Sequence, residues 1–293
     1  MLSGMARIAI IGGGSMGEAL LAGLLRSGRQ VKDLVLAERV PERAKYLSQT
    51  YSVLVTSVKE AVESATFVVV AVKPADVDAV MGDLAAAAAA ADDDSAEQVF
   101  ITIAAGITLT YFESKLPAGT PVIRAMPNAA ALVGAGVTAL AKGRFVSPEQ
   151  LAEASSLFDA VGGVLTVAES QMDAVTAVSG SGPAYFFLLV EALVEAAVAV
   201  GLSRQVANDL TVQTMAGSAA MLLERMDQDR GQAEGESLRV DTSAFELRAL
   251  IASPGGTTAA ALRELERGGF RATVDAAVQA AKTRSEQLRI TSE

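Results

Sequence analysis

The stretch ARIAIIGGGSMGEALLAGLL, residues 6–25, decides how the first half of the chain is read. Its first six residues are apolar save Arg7 and read as a buried strand. Its last eight repeat Leu and Ala at helical spacing. Between them stands Gly12-x-Gly14-x-x-Gly17. In a strand-turn-helix context these glycines have separate duties. Gly12 permits the tight turn, Gly14 lets a pyrophosphate approach the backbone, and Gly17 lets helix and strand pack closely. Gly13, Ser15 and Met16 complete the loop, and the free amides opening the helix face the anion.

Working outward, β-type runs recur at 34–38, 52–56, 67–72, 99–106, 121–126, 137–141 and 164–168, and helical stretches lie between most of the early ones. Apolar strands alternating with helices predict a mostly parallel sheet covered on both faces. After residue 169 the strand signals stop. Helices are expected at 171–200, 204–226, 243–252, 257–267 and 271–288, with an exposed polar loop at 227–243. The alanine run within 82–98 is expected to continue a surface helix that Asp92–Asp94 end. The reading is therefore a Rossmann-type α/β domain over 1–169 and an all-α domain over 170–293. The first two of these helices are rich in Ala, Leu and Val with thin polar faces, so self-association through this half is expected.

Composition narrows the chemistry. The 293 residues include no Cys and no His, and the net charge is −10. Thiolate nucleophiles and zinc-thiolate sites are excluded, and the commonest general base and metal ligand is missing. No metal is expected. The acidic balance argues against nucleic acid. The N-terminus has no ordered signal-peptide regions. The most apolar later run, 184–201, is interrupted by Glu191 and Glu195 and reads as a buried helix rather than a membrane span. A cytoplasmic location is expected.

Glu38 ends the second strand about 20 residues beyond Gly17, where an acid binds the ribose hydroxyls of NAD. Arg39 follows at once, with Arg43 close by, and either suits the 2′-phosphate of NADP. NADPH and NADH both remain open. Two further strand ends face the same crevice, Ala71-Val72-Lys73-Pro74 and Ala104-Ala105-Gly106, as candidates to wall the nicotinamide side. Lys73 is equally readable as a surface lysine. Asn128 is a crevice contact or a turn residue, and the glycines of SGSG (179–182) serve close helix packing or a ligand. In SPGGTT (253–258), Pro254, Gly255 and Gly256 shape a turn before a helix. That helix start is either an ordinary Thr-capped end or an anion cradle.

The segments IGGGSMGEAL, AVKP, ITIAAGIT, MPNAAALVGAG, TAVSGSGPAYFF, SPGGTTAAALRELERGGFR and AAVQAAKTRSEQL, in this order from Arg7 to Leu288, resemble the pyrroline-5-carboxylate reductase family. The glycine loop is common to many dehydrogenases; SGSGPAY and SPGGTT are specific. The resemblance implies a helical domain that interlocks with its twin, with an active site between the Rossmann crevice of one subunit and helices at the dimer interface. Dimers can assemble further. It also implies hydride transfer from NADPH or NADH to 1-pyrroline-5-carboxylate, giving L-proline. Ser253 and the amides around Gly255, Gly256 and Thr257 would hold the substrate carboxylate, and Thr258 would hydrogen-bond the ring nitrogen as the catalytic group. A protonated imine needs no strong acid side chain, which suits a chain without histidine. Departures are Ala129-Ala130 where the family has Thr-Pro, RALIA before SPGG, and a longer loop at 227–243. A β-hydroxyacid dehydrogenase-like NADP oxidoreductase is the enzymatic alternative, but helix 183–200 lacks that family's lysine. A non-catalytic dinucleotide-binding regulator is the other, and the intact SPGGTT argues against it.

Overall fold

The computed structural model describes residues 6–63, 65–89, 98–232 and 242–289. The chain divides into two compact units, Met1–Pro183 with Val278–Glu293, and Ala184–Ala277. In the first unit β1 (Ile8–Ile11), α1 (Ser15–Arg26), β2 (Leu34–Ala37), α2 (Pro41–Tyr51) and β3 (Leu54–Thr56) form one half of the sheet. The other half runs through α3 (Val58–Val62), β4 (Phe67–Val70), α4 (Val77–Ala89), β5 (Val99–Thr102), α5 (Leu109–Lys115) and β6 (Val122–Pro127). It ends with β7 (Gly136–Lys142), α6 (Pro148–Asp159) and β8 (Gly162–Thr166).

The eight strands lie in the order β3-β2-β1-β4-β5-β6-β7-β8. All neighbouring pairs are parallel except β6 with β7, which is antiparallel. The order reverses between β1 and β4, so a crevice opens beyond their carboxyl ends. Alternate residues serve opposite faces. Ile8 and Ile10 pack with Leu20, Leu24 and Phe158, while Ala9 and Ile11 pack with Val62, Val68 and Phe112. Each such large side chain contributes on the order of 1.5–3 kcal/mol by leaving water. All eight strands stand where the β-type runs predict them.

Two of the expected helix spans change. The continuous helix expected over 171–200 is broken: α7 (Met172–Val175) leads into a π-helical turn, Thr176–Gly180, before α8 (Gly182–Ala199). The Ser181 amide donates to the Thr176 carbonyl, five residues back. At Gly180 an added Cβ would sit 2.7 Å from Met126 Cε, so this glycine serves close packing on β6. The second long helix, α9 (Arg204–Gln232), passes its expected end at 226. Asp92–Asp94 and residues 233–241 of the expected loop lie outside the described residues.

The second unit contains most of α8, then α9, α10 (Ser243–Ile251), α11 (Thr257–Arg267) and the start of α12 (Phe270–Gln287), which ends in the first unit. Arg225 of α9 reaches Glu246 of α10 at 2.7 Å, and the Ser243 hydroxyl donates to Asp229 at 2.9 Å. The apolar run in α8 is not buried within the chain, against expectation: Leu188 is 67% exposed, and Phe186 and Phe187 are also open. Leu250 of α10 is 75% exposed. The helical stretch Glu169–Ala199 is long and apolar enough to cross a membrane by length and composition. Among the described residues of this unit, none covers these faces.

A partly buried ion network holds the end of α12 to α7 within the first unit. Asp173, 1% exposed, accepts from the Ser285 hydroxyl at 2.6 Å and from Arg289 Nε at 2.7 Å. Burial pushes the Asp173 carboxyl up, but the Arg289 and Ser285 hydrogen bonds and the Arg289 and Arg124 charges outweigh it and leave it below the usual range. A carboxyl lowered in this way stabilises fully above its unfolded pKa, about 3.9. That stabilisation is lost as the pH falls through the folded value. Asp173→Asn is expected to lower Tm at neutral pH by a margin that shrinks below about pH 4. Thermal melts of both proteins across that range check it; a margin independent of pH would refute the charge pairing.

Candidate active site

The glycine loop forms as it does because backbone passes backbone there. Gly12 has φ +107, and a Cβ on it would meet the Ala71 carbonyl oxygen at 2.8 Å. A Cβ on Gly17 would stand 2.0 Å from the Gly12 oxygen. Gly14, the N-cap of α1, has no atom within 4 Å of that position and no side-chain cap. An open face beside unpaired helix amides is what a pyrophosphate requires, so the residues present fit a dinucleotide. Glu18, in the first turn, would repel that anion if left bare. Burial raises its pKa, but Arg43 and Tyr51 bind its carboxylate and together hold it below the usual range.

Beyond the loop lies a cleft of ≈ 460 Å³. Gly12, Gly14, Glu38, Arg39, Ala71, Val72 and Lys73, all expected there, line it. The other residues expected at the cofactor do not line it. Gly13 bonds Glu38 and Arg43 through its backbone. Met16 and Gly17 face the packing of α1. Ser15 is exposed at the first turn of α1, and Pro74 opens a short 3₁₀ turn. Ala104 and Gly106 are buried and Ala105 is exposed, in the loop after β5. Asp76, Asp83 and Thr56 also line the cleft. Sequence reasoning missed them; only Asp76, two residues past Pro74, had a neighbouring signal.

Glu38 and Arg39 differ in how they are engaged. One Glu38 oxygen accepts from the Gly13 amide and the other from the Val40 amide, both at 2.8 Å. The acid thus braces the loop, with one acceptor site used on each oxygen. Arg43 donates to the Gly13 carbonyl at 2.7 Å and lies 5.0 Å from the Tyr46 ring centroid, so it is also engaged. Arg39 is different: its side chain is 79% exposed at the cleft rim, with one pair to Asp76 at 3.3 Å. Asn128 accepts from the Val137 amide at 3.2 Å, a bond that ties the start of the 3₁₀ turn 129–133 to β7.

In the second unit, SPGGTT forms a turn and a helix start. The Gly256 amide donates to the Ser253 carbonyl at 3.0 Å, with Pro254 second and Gly255 (φ +73) third, as a type II turn requires. The N-cap of α11 is Gly256, and no side chain caps it. The Thr-capped alternative is therefore not what forms. Ser253 opens this turn and Thr257 and Thr258 begin α11, with no acid in the first turn of the helix. Such an end attracts a carboxylate.

The two glycine positions make separable predictions. Gly17→Ala overpacks the turn and is expected to cost about 1–3 kcal/mol of stability. Gly14→Ala meets open space, so Tm should hold while dinucleotide affinity falls about tenfold, the scale of one charge-assisted hydrogen bond. Thermal melts and cofactor titration check both. Unchanged binding in the Gly14 variant would mean that no phosphate approaches the loop.

Comparison with known proteins places this geometry. Residues 7–106 match the family model for coenzyme F420-dependent NADP oxidoreductases, and residues 169–288 match that for pyrroline-5-carboxylate reductase dimerisation. The chain is 80% identical over 295 aligned positions to the pyrroline-5-carboxylate reductase of Mycobacterium tuberculosis, covering 100% of each. It is 41% identical to that of Corynebacterium melassecola, over 97% of this chain and 99% of the relative. Among solved structures, the pyrroline-5-carboxylate reductase of Coxiella burnetii superposes with a TM-score of 0.87 at 33% identity, covering 98% of this chain and 100% of the other. The Plasmodium falciparum pyrroline carboxylate reductase, solved with NADP bound, gives 0.77 at 26% identity, covering 97% and 98%. The chain belongs to the pyrroline-5-carboxylate reductase family.

Proposed function

We propose that the chain reduces 1-pyrroline-5-carboxylate to L-proline, the last step of proline biosynthesis, as an NAD(P)H-dependent oxidoreductase acting on a C=N bond. The observation that carries the reading is the uncapped amino end of α11, in a chain aligned over its full length with reductases of this name. A bound nicotinamide cofactor supplies the hydride. The residues of the chain have three tasks. The glycine loop and amides of α1 hold the pyrophosphate, and Lys73 and Ala104–Gly106 flank the nicotinamide end. Ser253 and the amides of Gly255, Gly256 and Thr257 hold the substrate carboxylate without placing a titrating group beside the imine. Thr258 hydrogen-bonds the ring nitrogen, which carries a proton when the hydride reaches the adjacent carbon. Much of the barrier reduction then comes from orientation.

NADPH is the preferred donor in this reading. Glu38 has both oxygens engaged by amides, while the guanidinium of Arg39 is free to turn from Asp76 to a 2′-phosphate. Residues 1–169 contribute the contacts to the cofactor, and 170–293 contribute those to the substrate and the dimer. The exposed apolar faces of α8, α9 and α10 and the matched dimerisation family support a second copy of the chain, rather than a membrane, as their cover. The protein is then a cytoplasmic homodimer whose dimers can assemble further.

Purified protein is expected to oxidise NADPH only when pyrroline-5-carboxylate is added; no turnover with NADPH or NADH would remove the assignment. Arg39→Ala should raise KM for NADPH about tenfold or more and leave KM for NADH unchanged. Thr258→Ala should lower kcat about a hundredfold, the scale of a lost proton-transfer group. Ser253→Ala should act mainly on KM for the substrate. Steady-state kinetics with both cofactors separates these effects, and an unaltered rate in the Thr258 variant would take it off the proton path.

A further inference from the structure

The loop after β5 is held from several sides within the first unit. The Ala104 amide donates to the buried Thr102 hydroxyl at 3.3 Å. The Leu109 amide donates to Glu169 Oε1 at 2.6 Å, and the same oxygen lies 3.4 Å from Arg124 Nη1. Arg124 is 4% exposed, and burial lowers its pKa against the support of Glu169 and Asp173. At the crest of the loop is Gly106, φ +78, where an added Cβ would stand 2.5 Å from the Leu288 carbonyl oxygen. Leu288 is in place because its neighbours Ser285 and Arg289 are both bonded to Asp173. The end of the chain's last helix therefore lies directly against the backbone of the loop.

We propose that the segment Ser285–Arg289 is a positioning element for the nicotinamide half of the cofactor, with Arg289 as its positioning residue. This rests on the reading that Ala104–Gly106 flank the nicotinamide. Arg289 touches neither cofactor nor substrate. Its pair with Asp173 keeps the Leu288 carbonyl against Gly106, and Glu169 fixes the other end of the same loop through Leu109. Together they limit where Ala104 and Ala105 can stand. The adenosine half meets different elements, namely the glycine loop, the end of β2 and Arg39, so its binding is independent of this clamp. A plain structural staple would not distinguish the two halves.

Calorimetric titration of the full chain with NADPH and with adenosine 2′,5′-bisphosphate, which lacks the nicotinamide half, tests this well below Tm. Arg289→Ala should weaken NADPH about fivefold or more, within the range of coupling through packed networks. The bisphosphate should bind as in the parent, and Arg289→Lys should recover part of the loss. Ser285→Ala, a milder change at the same carboxylate, should move NADPH in the same direction and serves if the arginine variant does not fold. Equal weakening of both ligands, or of neither, would overturn the proposal. Failure of the unsubstituted chain to bind NADPH would instead remove the cofactor reading beneath it.

Discussion

The first unit depends on one close crossing of backbone. The turn from β1 into α1 brings the Gly12 carbonyl to a place that a side chain at position 17 would fill, and Gly12 itself lies on the Ala71 carbonyl. A Cβ at either glycine would push α1 off the sheet. With α1 seated, Leu20, Leu21 and Leu24 enter the core and the helix start points into the crevice where the strand order reverses. The same seating lets Gly13 bond Glu38 and Arg43, which ties the ends of β1 and β2 together.

A chain without histidine or cysteine must do its electrostatic work by other means. It uses uncapped helix starts. Neither Gly14 nor Gly256 offers a side-chain cap, so the first amides of α1 and α11 remain available to an anion. An ordinary Ser or Thr cap would stabilise the helix by about 1 kcal/mol and occupy those donors. Caps of that kind do occur elsewhere in the fold, at Ser57, Thr108 and Ser147. Uncapped starts occur at α2 and α10 as well, so what distinguishes Gly14 and Gly256 is the glycine turn that leads into each helix. Such amides have fixed partial charge and no pKa in the working range, so their pull on a phosphate or carboxylate does not vary with pH.

The charged side chains instead brace the backbone. Glu38 holds two amides, Glu169 holds the start of α5, and Asp173 holds the end of α12. Each links positions distant in the chain. Removing one partner of a buried pair typically costs about 3–5 kcal/mol. Arg289 reaches solvent, so the cost at Asp173 lies below that range.

Much of the fold was legible in the sequence because its signals are local. All eight strands follow from apolar runs between turns, and the glycine spacing marked the tight turn from β1 into α1. SPGGTT was recognisable as a helix start, though spacing alone did not distinguish a cap from a cradle. What escaped were relations between distant residues. The Arg39–Asp76 pair, the double duty of Glu38 and the docking of Leu288 on Gly106 join positions that only a folded sheet makes neighbours. The π-helical turn at Thr176–Gly180 escaped too; its Gly180 packs on Met126 of β6, a contact between residues distant in the chain. The sequence by itself determined the strands, the glycine turns and the lack of titrating groups, since backbone sterics and composition act within a few residues. Tertiary structure alone decided which carboxylates and guanidiniums are engaged and which remain free, since that depends on distances the chain acquires only when packed.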